Sequence, residues 1–243
     1  MRIIIEKDYE QMSKTVMDLL LAKMYTNKKM NIAITAGSTP KRLYELLVEE
    51  IKNKSDFTNV TYYNFDEIPF KKKGGYGVTM TNLKNMYFDP AGISMEHVHA
   101  LDEKNYTTHD AYLESVGGLD AIFMGLGKDG HFCGNLPNTT KFGDLTSKVE
   151  TSIFPRMYDI MKSEVGGNEE DIPDFYVTMG PRSVMNAKET IIFVSGKEKA
   201  GIVKEAFFGP VSENVPSSVF QLHPNFTLVL DADAASEIKD LID

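Results

Sequence analysis

The stretch Gly125-Leu-Gly-Lys-Asp-Gly-His-Phe-Cys-Gly-Asn-Leu-Pro137 sets Asp129 two residues ahead of His131 in a glycine-rich turn, directly after the apolar run Asp120-Ala-Ile-Phe-Met124. A carboxylate beside an imidazole fixes its tautomer and favours the imidazolium, so the pair is an acid/base candidate near neutral pH. A second turn, Tyr63-Asn-Phe-Asp-Glu67, delivers two adjacent acids to the end of an apolar run. Neighbours on a strand point to opposite faces, so one of Asp66 and Glu67 is expected to face a given pocket, where it could serve as a general base. The plainer readings are a satisfied loop histidine and turn-forming acids. Cys133 as a nucleophile with His131 as its base is a further alternative, although a lone cysteine commonly serves as a small buried residue. A metal centre would need three or four ligands, and only Asp129 and His131 are neighbours in the sequence.

Two other stretches suit an anion. Thr35-Ala-Gly-Ser-Thr-Pro40 reads as strand, turn and helix start, where backbone N–H groups and the Ser38 and Thr39 hydroxyls could hold a phosphate or carboxylate. Thr39 is equally an N-cap, with Pro40 at the first helical position. The P-loop lysine is missing, so a nucleoside triphosphate is not indicated. Val194-Ser-Gly-Lys-Glu-Lys-Ala200 repeats the arrangement and adds Lys197 and Lys199, either solvated or, opposite another anion-binding turn, a phosphate clamp. Arg182 in Gly180-Pro-Arg-Ser is a further candidate phosphate contact.

Positioning these turns requires a set of strands that end near one another. Strands are expected at Arg2–Ile5, Asn31–Thr35, Val60–Phe65, His97–Leu101, Ala121–Gly125, Phe175–Met179, Thr190–Val194 and Phe226–Leu230. Helical-period segments separate most of them, the first carrying the stripe Tyr9, Met12, Val16, Leu19, Leu20, Lys23. The alternation predicts an α/β fold with a mostly parallel central sheet and helices on both faces, whose ligands bind outside the carboxyl ends of the strands. At 243 residues and 42% hydrophobic, with no repeat or long linker, residues 1–243 read as one domain. Pro69–Gly77 and Lys162–Asp171 read as long loops, the first a binding segment or surface excursion, the second an inert acidic surface.

A net charge of -9 argues against a nucleic-acid partner while leaving room for a small acidic substrate met by local cations. The single cysteine fits a reducing compartment. The apolar stretch after Met1 is too short for a signal sequence, and no later run suits a membrane span. A cytoplasmic, soluble protein is expected, with a homo-oligomer left open.

Gly37-Ser-Thr-Pro40, then Asp66-Glu67 after a strand, Asp129-Gly-His131, Val194-Ser-Gly-Lys-Glu-Lys-Ala200 and Ser218-Val-Phe-Gln-Leu-His-Pro224 occur in that order. Together they resemble the glucosamine-6-phosphate deaminase and 6-phosphogluconolactonase superfamily, over nearly the whole chain. The resemblance implies a modified Rossmann-like domain and a sugar-phosphate site needing no metal, dinucleotide or other cofactor. In the deaminase branch it implies that Asp66 takes the C2 proton of the open-chain amino sugar. His131 would open the ring with support from Asp129, and Gly37, Ser38, Thr39 and Lys199 would hold the phosphate. Glu67 and Asn135 are carried over as accessory phosphate or loop contacts. The chain departs from the deaminase pattern at two places. Leu136 stands where the motif D-G-H-x-x-x-N-E-P has a glutamate, and Tyr176 where it has a strand arginine, for which Arg182 or Arg156 could substitute. A leucine can neither accept a proton nor a hydrogen bond. The deaminase/isomerase reading is preferred, with a sugar-phosphate lactonase and a non-catalytic sugar-phosphate sensor as alternatives. A regulator of the latter kind usually carries a helix-turn-helix segment, whereas this sequence opens on its first expected strand.

Overall fold

Each expected strand forms, with no end moved by more than two residues: β1 Arg2–Glu6, β2 Met30–Ala33, β3 Val60–Tyr63, β5 Val98–His99, β6 Ala121–Met124, β8 Phe175–Thr178, β9 Thr190–Val194 and β10 Phe226–Asp231. Two short strands that the sequence does not announce join them, β4 Asp66–Glu67 and β7 Ser147–Glu150. These elements come from a computed structural model that describes residues 1–52, 54 and 57–242. The helices are α1 Tyr9–Met24, α2 Lys41–Ile51, α3 Val78–Leu83, α4 Asp89–Ala91, α5 His109–Ser115, α6 Pro155–Glu164, α7 Pro181–Met185 and α8 Ala200–Phe208.

Seven strands make a parallel sheet in the order β1-β10-β9-β6-β2-β3-β5. From β2 the chain steps outward through β3 and β5; from β6 it steps the other way through β9 and β10. The order therefore reverses between β2 and β6, which in open α/β sheets is where ligands bind.

The strands β6, β9 and β10 at the middle of the sheet are largely apolar because both faces are covered. Phe123, Ile191, Phe193 and Val229 face a layer in which α1 supplies Met12, Val16 and Leu20 and α2 supplies Leu43 and Leu47. Their neighbours Ile122, Met124, Ile192, Val194, Leu228 and Leu230 face the other way, onto Val203, Ala206 and Phe207 of α8. The α1 stripe matches its expected helical spacing, and Asp8 caps that helix by accepting from the Gln11 N–H. The expected cap of α2 is not formed. Pro40 itself takes the cap position without a side-chain bond, which leaves the Thr39 hydroxyl free of that duty.

Phe175–Met179 departs from the parallel arrangement. As β8 it lies at the centre of a separate antiparallel sheet, β4-β8-β7, with Asp66 opposite Thr178 and Glu67 opposite Val177. A four-residue apolar run reads alike in either sheet, since strand direction is set by its partners rather than by its own composition. Beneath this small sheet lies a third apolar cluster formed by Val78, Leu136, Val149, Met157, Met161, Val165, Ile172 and Tyr176. Among the described residues no helix is long and apolar enough to cross a membrane.

The expected loop Lys162–Asp171 is not irregular throughout, since Lys162–Glu164 form the last turn of α6 and Glu169–Asp171 a short 3₁₀ turn; the Pro69–Gly77 segment touches this stretch and the residues just after it. Lys71 pairs with Asp174 at 2.7 Å and Lys72 with Glu170 at 3.1 Å, at exposed positions where such pairs contribute little stability.

Candidate functional site

A cleft of about 950 Å³ opens at the carboxyl ends of the parallel strands. Its lining includes Gly37, Ser38 and Thr39 after β2, Asp66 in β4, Gly125 to Asp129 and His131 after β6, and Ser195 and Lys199 after β9. Four turns distant in sequence thus meet at the reversal of strand order.

The Thr35–Thr39 turn, expected to meet an anion, is held by tyrosines of α1 and α2. The Tyr9 hydroxyl of α1 donates to the Thr39 carbonyl at 2.9 Å and accepts from the Arg42 N–H at 3.2 Å. The Tyr44 hydroxyl donates to the Thr35 carbonyl. Lys199 reaches across to donate to the Leu126 carbonyl at 2.6 Å. Partial desolvation holds its ammonium below the ordinary lysine range; Glu198 opposes that shift and Lys128 adds to it. Lys41 and Lys128 also line the cleft, so three lysines gather near the Ser38–Thr39 and Gly125–Lys128 turns. A concentration of cations with backbone donors suits a phosphate dianion.

The acid/base pair is formed. His131 Nδ1 lies 2.6 Å from Asp129 Oδ1, and the His131 backbone N–H donates to the same oxygen at 3.2 Å. Burial works against the charge on Asp129. The His131 side-chain bond, the His131 charge and backbone N–H donors outweigh it and bring its pKa down to about 2. Arg156, at the start of α6, adds a contact of 3.6 Å to the other carboxylate oxygen. The imidazole packs against Gly127, where an added Cβ would lie 2.1 Å from its Nδ1. This glycine is therefore required by the close approach of the ring rather than by the turn alone.

Asp66 and Glu67 diverge, as expected of neighbours on a strand. Glu67 is buried and turned from the cleft, accepting the N–H groups of Ile68 at 3.0 Å, Thr79 at 2.7 Å and Met80 at 3.0 Å. It thereby caps α3 from outside that helix. Gly77 permits this approach, since a Cβ there would lie 2.6 Å from the Glu67 carboxyl and 2.4 Å from the Ile68 carbonyl. Asp66 faces the cleft and accepts from the Thr79 hydroxyl at 3.1 Å. Desolvation raises its pKa to about 6; the Thr79 bond opposes the rise, Glu164 adds to it and His131 opposes it. Such a carboxylate is ionised at neutral pH yet more basic than an ordinary aspartate, which suits a general base. Its backbone is fixed by Asn64, buried beneath it, whose amide donates to the Asp66 and Leu101 carbonyls while its oxygen accepts from the Leu101 N–H.

Three of the accessory residues fall elsewhere. Arg182 is exposed on α7, away from the cleft, so the expectation that it contacts the phosphate is corrected. Asn135 is buried behind the turn, donating to the Met179 carbonyl at 2.9 Å, so it is a loop contact rather than a phosphate contact. Glu67 likewise holds a loop and a helix end. Cys133 borders the cleft, but burial, with Asp66 adding to it, pushes its thiol well above the usual range, which disfavours a nucleophilic thiolate. Tyr176, in place of the motif arginine, is buried and donates its hydroxyl to the Gly134 carbonyl at 2.7 Å. Sequence reasoning misses Thr79, Lys41, Lys128 and Glu164 in the lining, and the use of Tyr9 as a strut. Lys41 directly follows one of the anion-binding turns and Lys128 lies inside the glycine-rich turn, whereas Thr79 and Glu164 reach the cleft only through tertiary packing.

The sequence matches the family described as glucosamine-6-phosphate isomerases/6-phosphogluconolactonase over residues 6–229. It is 30% identical over 251 residues to a glucosamine-6-phosphate deaminase of Clostridioides difficile, covering 98% of this chain and 97% of that protein. A glucosamine-6-phosphate deaminase of Clostridium novyi is 29% identical, with 98% and 100% covered. Among solved structures, a monomeric glucosamine-6-phosphate deaminase superposes with a TM-score of 0.83 at 22% identity, covering 98% of this chain and 100% of that one. A 6-phosphogluconolactonase from Trypanosoma cruzi gives 0.76 at 19% identity, covering 98% and 97%. The cleft at the strand-order reversal and the full-length matches agree: the chain belongs to the glucosamine-6-phosphate isomerase/6-phosphogluconolactonase family.

Proposed function

We propose that this chain is a hexosamine-6-phosphate deaminase/isomerase, converting glucosamine or galactosamine 6-phosphate to a ketose 6-phosphate with release of ammonia. The observation that carries the reading is that Asp66 and the Asp129–His131 pair share one cleft with the anion-binding turns, in a chain whose curated relatives bear the deaminase name.

The phosphate is held by the turn Gly37–Thr39 and by Lys199, with Lys41 and Lys128 near enough to add charge. His131, oriented by Asp129, moves a proton from the anomeric hydroxyl to the ring oxygen and opens the pyranose. Asp66 then removes the C2 proton while O1 takes up a proton, leaving an enolamine, and returns the abstracted proton to C1, so that C2 becomes a protonated imine. The resulting C2 imine adds water and releases ammonia. Each bond made or broken at C1–O5, C2–H, C1–H and C2–N is accompanied by a proton transfer of the kind general acid/base side chains assist. We read the protein as cytoplasmic, with a small sugar phosphate rather than nucleic acid as its partner.

Incubation with glucosamine 6-phosphate, galactosamine 6-phosphate and 6-phosphogluconolactone tests the reading. Ammonia and ketose formation from a hexosamine phosphate is expected, and the preferred epimer identifies the substrate. Acid release from the lactone alone would replace the reading with a hydrolase in which His131 activates water. Saturable binding of all three without turnover would replace it with a sensor.

A further inference from the structure

The end of α6 places one more carboxylate in the cleft. Ile160, Met161 and Glu164 all line it, at helical spacing that brings them to one side of α6. Met157 and Met161 of the same helix are buried in the third apolar cluster, which also contains Leu136 and Val165. The leucine at the position where the family motif carries a glutamate is thus part of the packing that docks α6. The helix so docked ends with Glu164 facing the site. Among the described residues Glu164 forms no ion pair or side-chain hydrogen bond, although Lys162 two residues earlier pairs with Glu169. An unpaired carboxylate in a partly desolvated cleft exerts its field on the groups around it rather than on a neutralising partner.

We propose that Glu164 is a positioning residue for the reaction, supplying from α6 the second carboxylate that the His131 turn lacks and acting by its charge on the cleft groups Asp66 and His131. The inference rests on the deaminase/isomerase reading. Two facts support it besides the placement. Glu164 is among the charges that raise the Asp66 pKa, and His131 in turn acts on Glu164, drawing it toward ionisation against the desolvation that raises its pKa. The remaining groups around the pair are accounted for. Asp66 is flanked by Glu67, accepts from Thr79 and influences Cys133 and Tyr176; His131 is held by Asp129, which Arg156 contacts. Glu164 is the member of this set whose role no other contact explains.

The test is the pH dependence of kcat/KM for Glu164→Gln, a substitution that keeps the shape and removes the charge. With a negative neighbour gone, Asp66 becomes a weaker base. The acid limb of the profile should move to lower pH by a few tenths to about one unit, and kcat should fall on the order of tenfold. KM should stay within about twofold, because the phosphate contacts are untouched. Glu164→Asp, which restores the charge, should recover most of the rate and the wild-type limb. An unchanged acid limb and unchanged kcat in Glu164→Gln would overturn the assignment, as would a change in KM alone. Wild-type protein that releases no ammonia from either hexosamine phosphate would instead refute the reading on which the assignment rests.

Discussion

The part of the cleft made by the ends of β2, β6 and β9 is assembled from short turns of consecutive residues, whereas the remainder is made by β4, the start of α3 and the end of α6. The first part presents backbone donors, hydroxyls and lysines together with the Asp129–His131 pair; the second presents Asp66, Glu164 and Thr79. On the proposed reading, substrate anchoring and proton transfer are thereby built on different foundations. Anchoring sits on the seven-stranded parallel sheet, while Asp66 and Glu164 sit on the small antiparallel sheet and the helix packed against it, with the His131 turn joining the two. The difference implies that each function can be damaged without the other.

The largest separation should come from His131. His131→Asn keeps a polar side chain in the turn but cannot shuttle a proton, and kcat should fall by about 10²–10⁴-fold, the usual worth of general acid/base catalysis. Binding of a non-reacting sugar phosphate should persist; loss of that binding as well would mean that the two parts of the cleft are not independent.

Glu67 tests the carboxylate part through its scaffold. Glu67→Ala leaves the N–H groups of Ile68, Thr79 and Met80 without their acceptor, and should cost about 2–4 kcal/mol in denaturant unfolding. A loss below about 1 kcal/mol would show that water or a rearranged backbone replaces the cap easily.

On the anchoring part, Lys199→Ala should raise KM about tenfold with kcat nearly unchanged, as expected when a single charged hydrogen bond to the phosphate is removed. Unchanged KM would move the anchor to Lys41 or Lys128. The smallest effect belongs to Thr79→Val, which removes the hydroxyl bond that favours ionised Asp66. Asp66 then holds its proton more tightly, so the acid limb near pH 6 should move upward by a few tenths of a unit. Movement in the opposite direction would contradict the donor role of Thr79.

The same contrast explains what is legible in the sequence alone. Gly37–Thr39, Asp129–His131 and Lys199 can be read because each is a local turn next to a strand whose apolar run is itself legible. The divergence of Asp66 from Glu67 follows from strand geometry. Legibility ends where partners decide the outcome. Nothing in the sequence sets β8 apart, because a short apolar strand does not disclose its neighbours, and β4 and β7 are too short and polar to register. Arg182 looks suited to the phosphate because charge and proximity to a motif are visible, while the direction of α7 is not. Glu164 is submerged in a polar, acidic stretch, although Met157, Met161 and Val165 before and after it carry a helical stripe that Glu164 shares. Thr39 reads as a helix cap because the hydroxyl pattern of a cap and of an anion-binding turn is the same.

The central claim is that Asp66 is the base that acts on C2. It is tested most directly by the exchange of the C2 proton of the hexosamine 6-phosphate with solvent deuterium, followed in wild-type protein and in Asp66→Asn. The account predicts that exchange disappears in the variant while the sugar phosphate still binds. Exchange at the wild-type rate in Asp66→Asn would contradict it.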